Sequence, residues 1–136
     1  MKLATLKSKN KDGELILVNR ALTLAVSAKE KAPTLQYALE NWDKVQPELQ
    51  LLYDKLNHNE VADAFPFDGN QVESPLPRAY GWADGSAYVN HVELVRKARG
   101  AEMPENFWTD PLMYQGGSDS FIGPRDDILV QDIEWG

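Results

Sequence analysis

The spacing of hydrophobic residues changes from a strand-like to a helix-like period near Lys31. Before that point, residues 2–7 and 14–19 form two short runs rich in leucine, isoleucine and valine. Between them lies a polar loop, residues 8–13, which ends in Asp-Gly, a common hairpin signal. A third apolar run follows at residues 22–26. These runs predict a small antiparallel β meander.

Beyond Lys31, apolar residues recur at three- and four-residue steps, the period of an amphipathic helix. Ala32-Pro33-Thr34 is a typical helix entry. Pro47 suits the first turn of a second helix, because an N–H at that point would have no partner within the helix. We therefore predict helices near 35–45 and 48–57 that cover the meander. The residues predicted to be buried are Leu39, Trp42, Leu52 and Leu56.

The remaining chain divides into two stretches of different character. Residues 61–77 contain several prolines and polar residues with little periodicity, which is typical of a linker or a long ordered loop. Residues 78–136 hold one helical pattern, long loops and a strand-like run at 128–131, which is little material for an independent core. The predicted fold class is α+β, with an N-terminal domain over 1–60, a linker over 61–77 and an incomplete second part over 78–136.

The most informative stretch runs from Asp84 to Gly100. We predict one helix here, with Asp84 at its N-cap and Gly100 directly beyond its end. Seven residues are two helical turns, so Asp84 and His91 would emerge on one face about 10 Å apart. Each residue alone has a plainer explanation. Aspartate is a common N-cap residue, and a lone histidine on an apolar stripe is more often a core residue than a catalytic one.

Composition narrows the class of protein. The 136 residues are 43% hydrophobic and include four tryptophans, which is enough for a folded core. Fourteen basic and 21 acidic residues give a net charge of −7, which argues against a basic nucleic-acid-binding face. The absence of cysteine excludes disulfide and thiolate chemistry. No signal-peptide or membrane-span pattern is visible, so we expect a cytoplasmic protein without nucleic-acid or membrane partners.

Two features near this stretch do not by themselves indicate a function: the charged residues around Glu93 and the loops beyond Gly100. Glu93 is spaced to form surface ion pairs with Arg96 and Lys97, which needs no functional explanation. The loops beyond Gly100 interleave aromatic residues with glycines and prolines. Such loops fit a substrate-lining surface and a surface packed under a partner domain equally well.

Three segments carry a resemblance to a known family. They are Trp82-Ala-Asp-Gly-Ser-Ala-Tyr-Val-Asn-His91, Arg99-Gly-Ala-Glu-Met-Pro104 and Asp110-Pro-Leu-Met-Tyr-Gln-Gly-Gly-Ser118. In these segments the chain resembles the fumarylacetoacetate hydrolase family, and in particular its bacterial branch with an N-terminal domain of this kind. The resemblance extends over the whole chain and is most specific over 78–128.

The resemblance implies roles for four residues. Asp84 would bind a divalent cation, Mg²⁺ or Ca²⁺, and His91 would be the general base. Tyr114 would contact the substrate. In better-known members an arginine contacts the substrate nine residues after the histidine. That position is Gly100 here, and Arg99 is the nearest arginine.

The resemblance also implies that the site is incomplete in this chain. Relatives continue into a mainly β catalytic domain, with a Glu-x-Glu metal motif, a further aspartate ligand and a glutamate that pairs with the histidine. None of these can be located in this sequence. Residues 78–136 would therefore be the start of a catalytic domain, and the chain the N-terminal part of a longer homodimeric enzyme, inactive by itself.

The implied reaction is hydrolysis of a carbon–carbon bond in a β-diketo acid such as fumarylacetoacetate, giving fumarate and acetoacetate in aromatic amino-acid breakdown. A hard cation can hold the enolate oxygens of the leaving group, and a neutral imidazole can activate the water. The partner would be a small-molecule oxo acid. Two alternatives stay open: an oxo-acid decarboxylase or isomerase on the same site, and a non-catalytic module in which residues 1–60 mediate assembly.

Overall fold

The structure is a computed structural model that describes residues 1–85, 88–110, 112–117 and 119–135. The chain forms two compact units. The first comprises Met1–Arg78 together with Ser120–Gly136, and the second comprises Ala79–Asp119. The division into 1–60, 61–77 and 78–136 drawn from composition stays a prediction.

The first unit contains a four-stranded antiparallel sheet in the order β1 (Leu3–Leu6), β2 (Glu14–Val18), β3 (Leu24–Ser27) and β4 (Phe65–Pro66). The first three strands are the meander that the apolar runs predict, so the α+β fold class is confirmed.

The turn between β2 and β3 explains why the third strand begins at Leu24 and not at residue 22. The Oδ1 atom of Asn19 accepts hydrogen bonds from the backbone N–H groups of Thr23 and Leu24, at 2.9 and 3.2 Å. Leu22 lies at φ 58°, a left-handed conformation that a strand residue does not adopt. An asparagine side chain that binds nearby backbone in this way competes with the strand ladder.

Two helices follow, α1 (Leu35–Glu40) and α2 (Trp42–Asn57). The break between them lies at Asn41, so the predicted break at Pro47 is wrong. Asn41 has a non-helical backbone, and both its backbone N–H and its Nδ2 donate to the carbonyl of Tyr37. Pro47 lies inside α2 near its start, where a proline removes one intrahelical hydrogen bond. None of the described helices is long and apolar enough to cross a membrane.

The shifted break changes which helical residues face the sheet. Leu56 is buried and Leu52 packs partly buried against the core, but Leu39 and Trp42 are exposed, so the prediction that they are buried is wrong. Because α1 ends after only six residues, the apolar stripe does not continue in phase from one helix to the next. The buried helical residues are Leu35, Ala38, Val45, Leu49, Tyr53 and Leu56.

Both faces of the sheet are buried. Leu15 and Leu17 of β2 pack against the helices, whereas Ile16 and Val18 belong to a second apolar cluster. Successive strand residues point to opposite faces, so the second cluster lies on the face away from the helices. Its other buried members are Ala25 and Val72, with Phe65 and Phe67 packed against them.

The middle of the segment 61–77, residues 65–72, covers this second face as an ordered stretch. Its first part pairs as β4 with β3, and Val72 then forms an antiparallel bridge with Leu6 of β1, at the opposite edge of the sheet. The edge is held by hydrogen bonds from Lys7 N to Gln71 O and from Glu73 N to Thr5 O, both 2.8 Å. The segment therefore closes both edges of the sheet and supplies apolar cover between them.

Part of the chain returns to this unit after residue 119. The N–H of Phe121 donates to the carbonyl of Pro77 at 2.9 Å, and Gly123 lies against the carbonyl of Val72. The predicted strand at 128–131 is wrong, because residues 128–130 form no regular structure and are exposed. Strand-forming residues need a neighbouring edge to pair with, and the described part of the chain offers none here.

Candidate functional site

A short antiparallel ribbon in the second unit places two of the four expected site residues side by side. Strand β5 (Ala83–Asp84) pairs with β6 (Tyr114–Gln115), with Asp84 opposite Tyr114 and Ala83 opposite Gln115. Residues directly opposite in such a pair point to the same face, with their Cβ atoms about 4.5–5.5 Å apart. The carboxylate expected to bind metal therefore lies next to the tyrosine expected to contact substrate. Both side chains are exposed.

Asp84 is not a helix N-cap, so the predicted helical spacing between Asp84 and His91 is wrong. The helix α3 spans Val89–Ala98, with Tyr88 at the N-cap position. The backbone of Asp84 is instead paired with β6, which prevents it from opening a helix. Residues 86 and 87, which join the ribbon to α3, lie outside the described residues.

The predicted end of the helix is confirmed. Gly100 has φ 66°, a left-handed conformation that glycine adopts without a Cβ penalty. Its N–H donates to the carbonyl of Lys97 at 3.1 Å, and the N–H of Ala101 donates to the carbonyl of Arg96 at 2.9 Å. This pair of bonds is a Schellman motif, which satisfies carbonyls that the helix end would otherwise leave without partners.

Trp82 and Gly116 hold the ribbon in register. A Cβ atom placed on Gly116 would lie only 1.8–2.2 Å from three atoms of the Trp82 indole, so the ring packs directly on the glycine backbone. The Gly116 N–H donates to the Trp82 carbonyl at 3.1 Å. The indole also lies against Tyr114, with ring centroids 5.8 Å apart and planes tilted by 59°. Trp82 thus fixes the tyrosine that stands opposite Asp84.

The other two expected site residues share a cleft along α3. His91 and Arg99 both line a cavity of about 360 Å³, together with Val92, Val95, Arg96, Ala101 and Leu112. His91, Val95 and Arg99 follow one another at four-residue steps, which places them along one side of the helix. His91 is exposed and not packed in a core, which removes the plainer interpretation of that histidine.

The segment that contains β6 contributes to both groups of site residues, the cleft on α3 and the pair formed by Asp84 and Tyr114. Leu112 lines the cleft on α3, and Tyr114, two residues later, pairs with Asp84. Two residue steps of extended chain span at most about 7 Å between Cα atoms. The structure thus brings Asp84 to Tyr114 and His91 to Arg99, and one short segment links the two pairs. Ser118, the last residue of the motif that contains Tyr114, is not among the described residues.

The expected divalent cation fits the chemistry of Asp84 but not the number of ligands found. A carboxylate oxygen is a ligand atom that both Mg²⁺ and Ca²⁺ prefer; Mg²⁺ takes about six oxygen ligands in octahedral geometry and Ca²⁺ about six to eight. Among the described residues, no three histidine, aspartate or glutamate side chains come together in a way that could hold a metal ion. The remaining ligands would have to come from outside the described residues.

Arg96 is a cleft residue that sequence reasoning missed. The i, i+3 spacing predicts an ion pair with Glu93, but Arg96 forms no ion pair with any carboxylate in the described part of the chain. It lines the cleft beside His91 instead. Arg96 lies three residues before Arg99, a spacing that puts both on neighbouring turns of one face. The three-residue spacing of the two arginines is the feature of the sequence that could have identified Arg96 as a cleft residue.

Two ion pairs anchor the first unit where the chain leaves it and returns. Arg78 Nε and Nη2 donate to the two carboxylate oxygens of Asp12 at 2.8 and 2.6 Å, and this holds the pKa of Asp12 below its usual value. Lys7 donates to Asp126, which lowers the pKa of that carboxyl and raises the pKa of the lysine. Both partners in the N-terminal domain, Lys7 and Asp12, lie in or beside the loop that joins β1 to β2.

Comparison with known proteins identifies the first unit. A family model described as fumarylacetoacetase N-terminal domain 2 matches residues 1–78, which is more than half of the chain. The match ends at residue 78, where the first stretch of the first unit also ends, and it does not include the ribbon or α3. A search of curated proteins finds no match.

Proposed function

This chain belongs to the fumarylacetoacetase N-terminal domain 2 family, and on that basis we propose that it is the N-terminal part of a metal-dependent hydrolase. The proposed reaction is cleavage of a carbon–carbon bond in a β-diketo acid, with fumarylacetoacetate as the leading candidate. The observation that supports the proposal most is the pairing of Asp84 with Tyr114, on a segment that also reaches the cleft containing His91.

Each residue has a role that its position allows. The Asp84 carboxylate would hold the divalent cation, which would supply positive charge for the oxygens of the leaving group. The His91 imidazole would take the proton from the attacking water, and its exposure leaves it open to solvent and substrate. The Tyr114 hydroxyl would donate a hydrogen bond to substrate beside Asp84, and Arg99 would bind an anionic group from the cleft.

The proposal requires ligands from beyond the described residues, since one carboxylate cannot complete the coordination shell. They would come from further chain in the complete enzyme or from a second copy. The 136 residues alone are therefore expected to be inactive. A Glu-x-Glu motif in the complete enzyme would supply two of the missing carboxylates.

A second candidate is a non-catalytic assembly module. The observation in its favour is the almost complete exposure of Ile128, Leu129 and Ile133, at 81, 92 and 89%, because a contiguous patch of such residues would mark a surface that contacts another chain. An oxo-acid decarboxylase or isomerase on the same residues is a variant of the first proposal, which product analysis separates from hydrolysis.

The test uses the full-length protein with fumarylacetoacetate and a set of acylpyruvates, with added Mg²⁺ and then with EDTA. We expect metal-dependent formation of two carboxylic acids from each cleaved substrate. Asp84→Asn should raise the Mg²⁺ concentration needed for half-maximal activity, whereas Asp63→Asn on the other unit should leave it unchanged. Absence of turnover with every substrate and metal would favour the assembly module.

A further inference from the structure

The cleft on α3 is positively charged within an acidic protein. Arg96 and Arg99 line it together with His91, and none of the described lining residues is acidic, although the chain as a whole carries a charge of −7. Guanidinium groups three residues apart on one helix face can converge on a single anion, and each presents a planar fork that matches a carboxylate. The cleft therefore offers a site for an anionic group.

Arg96 is available for that task. Neither Arg96 nor Arg99 is ion-paired within the described residues. Asp110 lines an adjoining hollow of about 190 Å³ that Arg96 also borders, but its carboxylate accepts a hydrogen bond from Asn106 and lies beyond ion-pair distance of Arg96. The Asp110 carboxylate, which borders the same hollow as Arg96, thus has its own donor.

The end of the helix does not oppose an anion as strongly as a bare C-terminus would. Helix C-termini carry partial negative charge on carbonyls that lack partners. Here the carbonyls of Arg96 and Lys97 accept hydrogen bonds from Ala101 and Gly100. Both arginines therefore keep their net attraction for an anion.

The rest of the cleft suits a hydrocarbon chain. Val92 is buried, Val95 is half-buried, and both line the cleft with Leu112. A volume of about 360 Å³ lies at the small end of the range of roughly 300–1,000 Å³ for ligand pockets. An apolar wall with charged groups at one end accommodates a short acid better than a bare inorganic anion.

From these observations we propose that Arg96, acting with Arg99, binds a carboxylate of the substrate and is a specificity-determining residue for short organic acids. The proposal rests on the proposed function for the identity of the substrate. It does not depend on the metal or on turnover, because the whole cleft lies within Ala79–Asp119.

Binding of fumarate to the metal-free protein tests this directly. Titration is followed by the amide and guanidinium NMR signals of α3, with uncharged fumaramide as the matched probe. We expect fumarate to shift the signals of Arg96, Arg99 and Val92, and fumaramide to bind at least tenfold more weakly. Arg96→Gln should weaken fumarate binding at least tenfold, because a charge-assisted bidentate contact is lost.

Lys97→Gln is the matched control, since it removes one positive charge from the same helix at an exposed position outside the cleft lining. It should change fumarate affinity less than twofold, with an unchanged thermal midpoint for both variants. Equal losses in the two variants would mean general charge attraction and would overturn the proposal. Unchanged binding in Arg96→Gln would overturn it as well, while metal-dependent turnover in the full-length protein would leave the proposed function standing.

Discussion

Replacing Gly116 with alanine should open the ribbon that carries Asp84 and Tyr114. The added Cβ would lie 1.8 Å from Cε2, 2.1 Å from Cζ2 and 2.2 Å from Nε1 of Trp82, whereas optimal carbon contacts are about 3.5–4.0 Å. The indole must therefore move by more than about 1 Å to bring these atoms back to contact distance from the new Cβ. Because the clash is with three atoms of a rigid indole and not with a flexible chain end, the ring can relieve it only by leaving its place on the glycine backbone.

The expected cost is comparable to the stabilisation of the ribbon. Overpacking of this kind costs about 1–3 kcal/mol. The ribbon has two cross-strand pairs, worth roughly 0.2–1 kcal/mol each, and one aromatic contact between Trp82 and Tyr114, worth roughly 0.5–1.5 kcal/mol. We therefore expect Gly116→Ala to shift this local equilibrium towards the open ribbon without unfolding the four-stranded sheet of the first unit.

Two NMR observables measure the change. They are the nuclear Overhauser effect between the Trp82 and Tyr114 rings, and the hydrogen-exchange protection of the residue-116 amide, which donates to the Trp82 carbonyl. Both should be lost in Gly116→Ala. Gly117→Ala is the matched control, because its Cβ would approach only Asp119 Oδ2 at 3.4 Å. Retention of the ring contact in Gly116→Ala, or its equal loss in Gly117→Ala, would mean that the packing of Trp82 on Gly116 does not hold the ribbon.

Three further predictions concern stability, pH and metal binding. Gly13→Ala should lower the free energy of unfolding of the first unit by about 2–4 kcal/mol in urea, because it combines a left-handed φ of 65° with a Cβ only 2.8 Å from the Leu6 carbonyl oxygen. Gly100→Ala has a similar φ of 66° but nothing within 4 Å of the added Cβ, so it should lower the stability of the second unit by only about 1–2 kcal/mol. The Asp12 carboxyl has a lowered pKa in the folded chain, so its stabilising contribution is present above the unfolded value of about 3.9 and is lost as the pH falls through the folded value. The urea midpoint should accordingly fall as the pH is lowered through and below the unfolded value of about 3.9, and less so in Asp12→Asn. Calorimetry of the 136-residue chain with Mg²⁺ or Ca²⁺ should show weak binding or none, and a tight stoichiometric site would mean that the chain or its dimer completes the shell.

The meander was predictable because its signals are local. The apolar runs over 2–7 and 14–19 and the Asp-Gly before β2 are enough to specify two paired strands. The helix end at Gly100 was predictable for the same reason, since a glycine after a helical pattern is the usual C′ residue.

The ribbon was not predictable from local patterns. Strands β5 and β6 have two residues each and lie 30 positions apart, so neither has enough length for a period-two signal. Their pairing depends on the Trp82 ring packing on Gly116, a contact between distant residues. A long apparent helix from Asp84 was the natural interpretation, and the strand pairing of Asp84 overrides it.

The cover of the second face of the sheet was not predictable for a related reason. Residues 61–77 show no periodicity because they cross the sheet and pair at both edges over one or two residues at a time. Composition alone made them resemble a linker. The cover that Phe65, Phe67 and Val72 give to Ile16 and Val18 appears only once the strand order is known.

The proposed function rests on the claim that His91 acts as a general base in a metal-dependent hydrolase. It is tested most directly by measuring kcat for fumarylacetoacetate and the thermal midpoint of full-length His91→Ala beside the wild type. We expect kcat to fall by roughly 10²–10⁴, the usual range for a lost general base, while the midpoint stays unchanged because the His91 side chain is exposed. A variant that loses stability but keeps its turnover would contradict the claim.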